Sequence, residues 1–299
     1  MTEQIFAIIA PVLICAGIGF AWMKLKVGYD VAFVTTLATN IGTPALVYST
    51  LVGQDLGAEG LIERMGGMAV ASMLAIAAML AVAAVCLKAM RLSFSSYLPA
   101  LTFSNAGNMG LPLCLFAFGE PGLALAIIYF AVTCILNFTV GVGLAAGTMS
   151  LVQLVRTPII WAVGISVAVI LTGYQAPLWA TRTISLIGQL TIPLMLLTLG
   201  VALAGLGLRN LGRSTLLALL RLAIGFGTGV AIAWGLDLDR IEGGVLIIQT
   251  AMPVAVFNFL FAQRYARAPE DVAGMVLIST IISFLTLPAL LSFVLERAV

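Results

Sequence analysis

Apolar residues form long runs along nearly the whole chain, and short polar or charged loops separate them. A run of about 20 apolar residues matches the hydrocarbon core of a bilayer. The pattern therefore predicts an all-helical protein embedded in the lipid bilayer. Ten spans are predicted, at roughly 4–23, 31–51, 66–87, 96–118, 122–147, 158–174, 184–206, 214–236, 243–263 and 272–295.

The fourth span is interrupted in its middle by SNAGNMGLPL, residues 104–113. Glycine and proline are unfavourable inside helices, and broken backbone at membrane depth is tolerated only inside protein or beside a water-filled cavity. The stretch predicts a discontinuous helix at a binding site, and a kinked packing helix is the alternative. Its candidate substrate-binding residues are Asn105, Gly107, Asn108 and Gly110, and Pro112 is a candidate hinge.

The ninth span carries a second interruption, at IIQTAMPVAV, residues 247–256. Pro253 lacks an N–H and clashes with the preceding turn of a helix. A half-helix that starts at membrane depth presents free N–H groups and the positive end of its dipole, which bind anions without a charged side chain. Two such breaks that cross predict a small organic anion as the ligand. Gln249 and Thr250 are further candidate substrate-binding residues.

The second span carries NIGTP, in which Asn40 and Thr43 flank a break at Pro44. These two side chains are candidate substrate-binding residues, and the alternative is a packing kink whose carbonyls they satisfy. Pro44 recurs as Pro193 in the seventh span, and Asn108 has its counterpart at Pro253. Such offsets predict two halves of five helices, residues 1–150 and 151–299, inverted in the membrane as in many secondary transporters. Pro44, Pro193 and Pro253 are candidate hinges.

Composition narrows the function. Of 299 residues, 62% are hydrophobic and 9% charged, and the mean hydropathy is +1.17, values typical of membrane proteins. A net charge of +2 leaves no basic face for nucleic acid. The four cysteines lack metal-ligand spacing and there is no histidine, so neither a metal nor a cofactor is predicted. An intramembrane enzyme needs histidine, paired carboxylates or a metal, so an enzyme is not expected. A passive channel remains a further alternative.

Loop charges predict the orientation, because lysine and arginine are retained in the cytoplasm. With the N-terminus outside, more cations fall in cytoplasmic loops than outside, and both termini are extracytoplasmic. The cytoplasmic set is Lys24, Lys26, Lys88, Arg91, Arg156, Arg209, Arg213, Arg264 and Arg267, and the outer set is Arg64, Arg182, Arg240 and Arg297.

Charged residues inside the spans bear on mechanism. No aspartate or glutamate lies in the interior of a predicted span, which argues against a carboxylate-based proton antiporter. Efflux by uniport, driven by the membrane potential, is predicted, and a sodium- or proton-coupled symporter is the alternative. Arg221 is predicted to snorkel to the interface, with attraction of substrate as the alternative. Asn137 and Asn258 are predicted to form interhelical hydrogen bonds, with a place in the site as the alternative.

Two stretches resemble the auxin efflux carrier family, which includes the plant PIN carriers and bacterial malonate carriers. They are SNAGNMGLPL in the fourth span and AMPVAVFNFLFAQRYARAPEDVAG, which runs from the ninth span into the tenth. TLPALL near the end also fits. The plant carriers' long loop between the halves is missing here, which favours a bacterial member in the inner membrane.

The resemblance implies a fold like that of sodium–bile-acid symporters and sodium–proton exchangers. It implies ten helices in two inverted repeats, with spans 1, 2, 6 and 7 forming a scaffold that dimerises. Spans 3–5 and 8–10 would form a transport domain in which the broken fourth and ninth spans cross. Organic anions as substrates and elevator-like motion follow from the same resemblance. The helix 4 residues already named match the family's motif, as do Met252 and Pro253 in the ninth span.

Overall fold

The computed structural model describes residues 2–53, 58–146, 157–207 and 210–296. Three arginines used to predict the orientation lie outside these ranges, namely Arg156, Arg209 and Arg297, and so does the predicted boundary between residues 150 and 151. Within the described ranges the chain is helical and forms no strand beyond one isolated antiparallel bridge, Ser104 with Val254. The all-helical prediction is confirmed.

The helices are numbered in chain order, and three short π-helical turns interrupt them at Ala38–Gly42, Ala106–Gly110 and Asn137–Gly141. The bounds are α1 Thr2–Lys24, α2 Val31–Leu37, α3 Thr43–Val52, α4 Ala58–Ala89, α5 Phe94–Thr102, α6 Leu111–Leu136, α7 Val142–Ala146, α8 Pro158–Thr172, α9 Leu178–Gly205, α10 Leu211–Gly235, α11 Arg240–Ala251, α12 Val256–Arg264 and α13 Pro269–Glu296.

Seven helical stretches in the described residues are long and apolar enough to cross a membrane. They are Glu3–Lys24, Val31–Val52, Ile62–Ala89, Ala106–Leu144, Leu178–Gly205, Leu211–Gly235 and Pro269–Glu296. Helix α8 is apolar but shorter, and α5, α11 and α12 are the separate pieces of interrupted spans. The protein is therefore a multi-pass membrane protein, as the hydrophobic pattern predicts.

One predicted boundary is confirmed and another differs. The range Leu111–Leu136 of α6 holds two helices that meet at a kink at Gly119, which lies in the predicted gap between residues 118 and 122. Gly119 has a φ of 67°, which glycine adopts without steric cost. Helix α8 ends at Thr172 rather than 174, since the left-handed Gly173 (φ 64°) caps it.

The four candidate hinge prolines differ in where they lie relative to the ends of helices. Pro44 and Pro112 each lie at the second position of a helix, α3 and α6, that continues directly from a π-helical turn. Pro193 lies inside α9, which stays helical from Leu178 to Gly205. Pro253 lies in non-helical backbone between α11 and α12. Of the four prolines, Pro253 is the one that lies between two helix ends.

Close helix crossings depend on small residues. Helix α1 packs along α9, and α8 packs on α3. A Cβ added at Gly19 would overlap the backbone of Leu197, and one added at Gly200 would overlap the carbonyl of Ala16. Without those side chains the two backbones approach closely, which is a usual way for helices to associate in lipid. Helices α4, α6, α10, α11 and α13 pack together around the interrupted segments.

Candidate functional site

Both interrupted spans leave helical geometry near their middle. Helix α5 ends at Thr102, and the π-helical turn that leads into α6 begins at Ala106. Helix α11 ends at Ala251, and α12 begins at Val256. Each span is therefore made of two half-helices joined by a short non-helical segment, residues 103–105 in the first break and 252–255 in the second.

The two breaks cross and bond to each other through their backbones. The N–H of Asn105 donates to the carbonyl of Pro253 at 2.8 Å, and the N–H of Ala255 donates to the carbonyl of Phe103 at 3.4 Å. The side-chain amide of Asn258 also donates to Phe103, at 3.0 Å. Peptide groups that would otherwise be unpaired at membrane depth are thus satisfied by the other break.

Side chains from neighbouring helices satisfy further groups of the second break. The hydroxyl of Ser279 in α13 accepts the N–H of Val254 at 3.1 Å. The guanidinium of Arg221 in α10 donates to the carbonyl of Thr250 at 2.9 Å. Arg221 is fully buried, so the prediction that it snorkels to the interface is wrong. Its side chain turns inward because the negative end of the α11 dipole attracts a cation.

A cavity of about 290 Å³ lies against the crossing. The breaks contribute Ser104, Asn105, Gly107 and Asn108 on one side and Ala255 to Phe257 on the other. Threonines from the helices opposite face the same space, and they are Thr35, Thr39, Thr43 and Thr198. The cavity therefore lies between the broken spans and the helices α2, α3 and α9.

Several residues that line this cavity carry buried polar side-chain atoms without a hydrogen-bond partner. These atoms are Thr43 Oγ1, Ser104 Oγ, Asn105 Nδ2, Thr133 Oγ1 and Asn137 Oδ1. Buried polar groups in proteins are nearly always paired, so such a cluster indicates a place for water or a polar ligand. The first N–H groups of the half-helices, at Gly107, Asn108, Val256 and Phe257, have no acceptor within their own helices. Donors therefore converge on one end of the cavity.

Most of the other lining residues are apolar. They include Phe130, Phe138, Phe257, Phe259 and Leu260. Within the described residues no charged side chain lines the cavity. The ring of Phe130 lies 3.0 Å from where a Cβ on Gly107 would be, so glycine leaves room for it there. The cavity thus combines polar groups, at the crossing and on the threonines opposite, with a largely apolar remainder.

The structure separates the predicted site residues. Asn105, Gly107, Asn108 and Thr43 line the cavity, whereas the others do not. Asn40 is exposed on the outer surface of its helix. Gln249, Thr250, Met252 and Pro253 are buried behind the crossing, where Gln249 packs against Gly110 so closely that an added Cβ there would overlap its side-chain oxygen. The binding role of each residue stays a prediction.

Sequence reasoning missed part of the lining on α6. Phe130, Thr133 and Cys134 line the cavity together with Asn137 and Phe138 of the π-helical turn that follows. The spacing of three and four residues places them on one helix face, which was the signal available in the sequence. Asn137 was predicted to bond between helices, but it lines the cavity with its oxygen unpaired. Asn258 does form the predicted interhelical bond.

A second cavity of about 400 Å³ lies between α3, α6 and α9. Its lining includes Ser49, Glu120, Ser185, Gln189 and Pro193. On α9 these residues precede Met195, the first residue of that helix to line the other cavity. The second cavity is lined as far as Pro193 and the first from Met195 onward, so the two cavities lie toward opposite ends of α9.

A family model described as "Membrane transport protein" matches residues 142–291. The chain belongs to this family. The predicted membership of the auxin efflux carrier, or PIN-like, family is confirmed, and the match includes the second break and Pro253.

Two archaeal relatives of this membrane transport protein are similar over different lengths. The first is the uncharacterized transporter MJ1031 of Methanocaldococcus jannaschii, 24% identical over 194 residues, 61% of this chain and 63% of the relative. The chain thus spans less than two thirds of that relative. The second is an uncharacterized transporter of Methanothermobacter thermautotrophicus, 24% identical over 298 residues, 96% of both chains.

Proposed function

We propose that this membrane transport protein is a secondary carrier of small organic anions and that the cavity at the crossing is its substrate site. The observation that supports this most is the convergence there of unpaired polar atoms and free helix N-terminal N–H groups. Such groups hold a carboxylate without a charged side chain. A carrier rather than a channel is favoured because the lining has no charged ring of the kind that selects ions, among the residues that the structure describes.

Among organic anions, the cavity fits a monocarboxylate with an apolar body better than a dicarboxylate. One carboxylate can lie among the donors of the crossing while an aromatic or aliphatic group packs on Phe130 and Phe138. A second carboxylate would meet only neutral groups among the described residues and no cation, which is costly. The volume of about 290 Å³ is at the small end of ligand pockets. The substrate is therefore a compact acid.

The proposed architecture is ten membrane spans in two inverted halves. Spans 1, 2, 6 and 7, here α1, α2–α3, α8 and α9, form the scaffold and the homodimer contact. The remaining helices form the transport domain that carries the crossing. The mutual packing of α1 with α9 and of α3 with α8 supports a separate scaffold. Motion of one group against the other, as an elevator, would move the site from the first cavity to the second.

The charge pattern supports an opening of this cavity toward the cytoplasm. Its mouth is lined by Met23 at the end of α1, Val31 at the start of α2 and Leu206 after α9. These are the ends that the lysine and arginine distribution assigns to the cytoplasm. An anion entering from a negative interior is driven outward by about 2.3 kcal/mol per charge per 100 mV. We therefore propose efflux by uniport across a bacterial inner membrane.

A binding experiment tests the substrate site. Phenylacetate, malonate and the neutral phenylacetamide are added to purified protein and the melting temperature is followed, because a ligand of the native state stabilises it by mass action. We expect the largest shift with phenylacetate. Asn108→Ala should weaken its binding about tenfold, since a hydrogen bond to a charged group contributes roughly 1.5–3 kcal/mol. Asn40→Ala, on the outer surface, is the control and should bind normally.

Two results would oppose the proposal. An equal shift of the melting temperature with phenylacetamide shows that the site does not distinguish the charged acid from its neutral amide. Normal binding by Asn108→Ala, with loss in Asn40→Ala, places the site elsewhere.

Coupling is tested separately in liposomes. Phenylacetate flux that follows an imposed potential without a sodium or proton gradient supports uniport, whereas a requirement for either gradient supports the coupled symporter.

A further inference from the structure

Arg221 is a fully buried cation in the middle of the helix packing. Its guanidinium donates to the carbonyl of Thr250 at 2.9 Å and to the sulfur of Met79 at 3.5 Å. Gly225, one turn further along α10, leaves room for it, since a Cβ there would lie 2.7 Å from Nη1 and would overlap the Thr250 carbonyl. The Nε–H has no partner. The helix packing therefore leaves a fitted space for this side chain.

No carboxylate balances this charge within the described residues. The ion pairs of Arg64 with Asp239 and Glu242, and of Arg213 with Asp271, lie at helix ends elsewhere. A buried cation without an anion is strongly unfavourable unless something compensates it. The negative end of the α11 dipole supplies only about half an elementary charge. A negative charge that arrives and leaves would complete the balance.

A set of buried polar groups lies between Arg221 and the cavity. Tyr129 is fully buried on α6 and within electrostatic reach of Arg221. Its hydroxyl lies beside those of Ser104 and Thr133, although no hydrogen bond of good geometry joins them. Ser104 and Thr133 in turn line the cavity. In this dry interior the field of a cation is weakly screened and reaches the polar end of the cavity.

We propose that Arg221 is the permanent counter-charge of the anion cavity, acting through the field across Tyr129 without touching the substrate. The inference rests on the proposed function, because it assigns the source of the attraction for the carboxylate. It also bears on coupling. In other transporters the C-terminal ends of half-helices coordinate a transported cation, and here a guanidinium holds that end of α11. Anion binding is therefore independent of sodium.

The first test measures affinity by calorimetry on purified protein, with phenylacetate as the charged probe and phenylacetamide as its neutral match. Arg221→Gln should weaken phenylacetate binding about tenfold, while Arg221→Lys, which keeps the charge, should weaken it no more than about threefold. Phenylacetamide binding should be unchanged in all variants. Arg213→Gln removes an arginine near the surface and should leave both probes unaffected. Replacing sodium by N-methylglucamine should not alter the wild-type affinity.

Arg221→Gln leaves buried space and can fail to fold, so a second pair of variants neutralises the arginine in place. Met79→Glu puts a carboxylate beside the guanidinium, and Met79→Gln is its neutral match. We expect Met79→Glu to weaken phenylacetate about tenfold and Met79→Gln to have little effect. Equal affinities in this pair overturn the inference alone, whereas a sodium requirement in the wild type overturns both the inference and the proposed uniport. A wild type that prefers the amide overturns the proposed function, and this inference with it.

Discussion

At the scale of single residues, the site is distinguished by polar atoms that have no hydrogen-bond partner. The cavity is lined by residues that carry a buried oxygen or nitrogen without a hydrogen-bond partner, namely Thr43, Ser104, Asn105, Thr133 and Asn137. Leaving a buried polar group unpaired costs about 1–3 kcal/mol. Several such groups in one place therefore lower the stability of the fold relative to a packed apolar core. A ligand that forms hydrogen bonds with them restores this stability, and for this reason the unpaired groups indicate a binding site.

The glycines of the first break act differently from each other, and Gly110 gives a test. Gly110→Ala should lower stability by about 1–3 kcal/mol, because its Cβ would overlap the side-chain oxygen of Gln249. The matched control is Gly227→Ala in α10, where a new Cβ meets nothing within 4 Å. The control should be neutral or slightly stabilising, since alanine is the better helix former. Thermal unfolding in detergent measures both.

A double-mutant cycle of Gly110 and Gln249 provides a second test of this contact. Gln249→Ala removes the group that the new methyl meets, so the double variant Gly110→Ala with Gln249→Ala should be more stable than the sum of the two single losses. Strict additivity would contradict a direct contact between these positions. A Gly110→Ala protein with an unchanged melting temperature would mean that the helices can separate at this crossing without cost.

Residue roles are predictable from the sequence where local chemistry decides them. Asn105 and Asn108 stand beside glycines in an apolar span, a combination typical of a broken helix at a binding site, and both line the cavity. Gln249 and Thr250 look equivalent to them in sequence, yet they lie behind the crossing, since helix rotation is set by tertiary packing. Arg221 was mispredicted for the same reason. The position of Arg221 along α10 follows from the sequence. That its side chain faces the carbonyl of Thr250 at the C-terminal end of α11 does not.

At the scale of elements, the half-helices hold one another in place. Helices α5 and α11 stop short of the crossing, and their peptide groups pair across it through Asn105, Pro253, Phe103 and Ala255. Glycine and proline predict that each span breaks. They do not predict the partner of each peptide group, because those bonds join residues in opposite halves of the chain. The crossing is therefore a tertiary feature built on two locally encoded interruptions.

The amide of Asn258 gives a test of the crossing. Asn258→Leu removes the donor to the Phe103 carbonyl, a bond of 3.0 Å between α12 and the end of α5. Stability should fall by about 1–3 kcal/mol, because a buried carbonyl loses a partner, and phenylacetate binding should weaken with it. Gln263→Leu, exposed on the same helix, is the control and should leave stability and binding unchanged. Thermal unfolding and calorimetry report the two effects.

If Asn258→Leu were as stable as the wild type, the backbone bond from Ala255 would be sufficient to hold the crossing. The amide would then have no structural task there. Loss of stability in Gln263→Leu as well would show that α12 is sensitive to any substitution. Only the difference between the two variants therefore measures the contribution of Asn258.

At the scale of the whole molecule, two cavities lie at opposite ends of α9 and the crossing lies beside one of them. The hydrophobic pattern is sufficient to predict a multi-pass helical membrane protein, since span length is set by bilayer thickness. Neither cavity could be predicted, because each depends on how helices distant in sequence pack together. Thr35 lines the first cavity and Ser185 the second, so they report on the two ends separately.

Cysteines at these two positions test orientation and access together. In a background with the four native cysteines replaced, Thr35→Cys and Ser185→Cys are treated with a membrane-impermeant maleimide in right-side-out and inverted vesicles. If the cation distribution sets the orientation, Thr35→Cys should react several-fold faster in inverted vesicles and Ser185→Cys faster in right-side-out ones. The reverse pattern places the open cavity outside. Labelling of both cysteines from one face would contradict the assignment of the cavities to opposite sides of the membrane. Saturating phenylacetate should slow labelling of Thr35→Cys, because the bound acid fills the cavity that this residue lines.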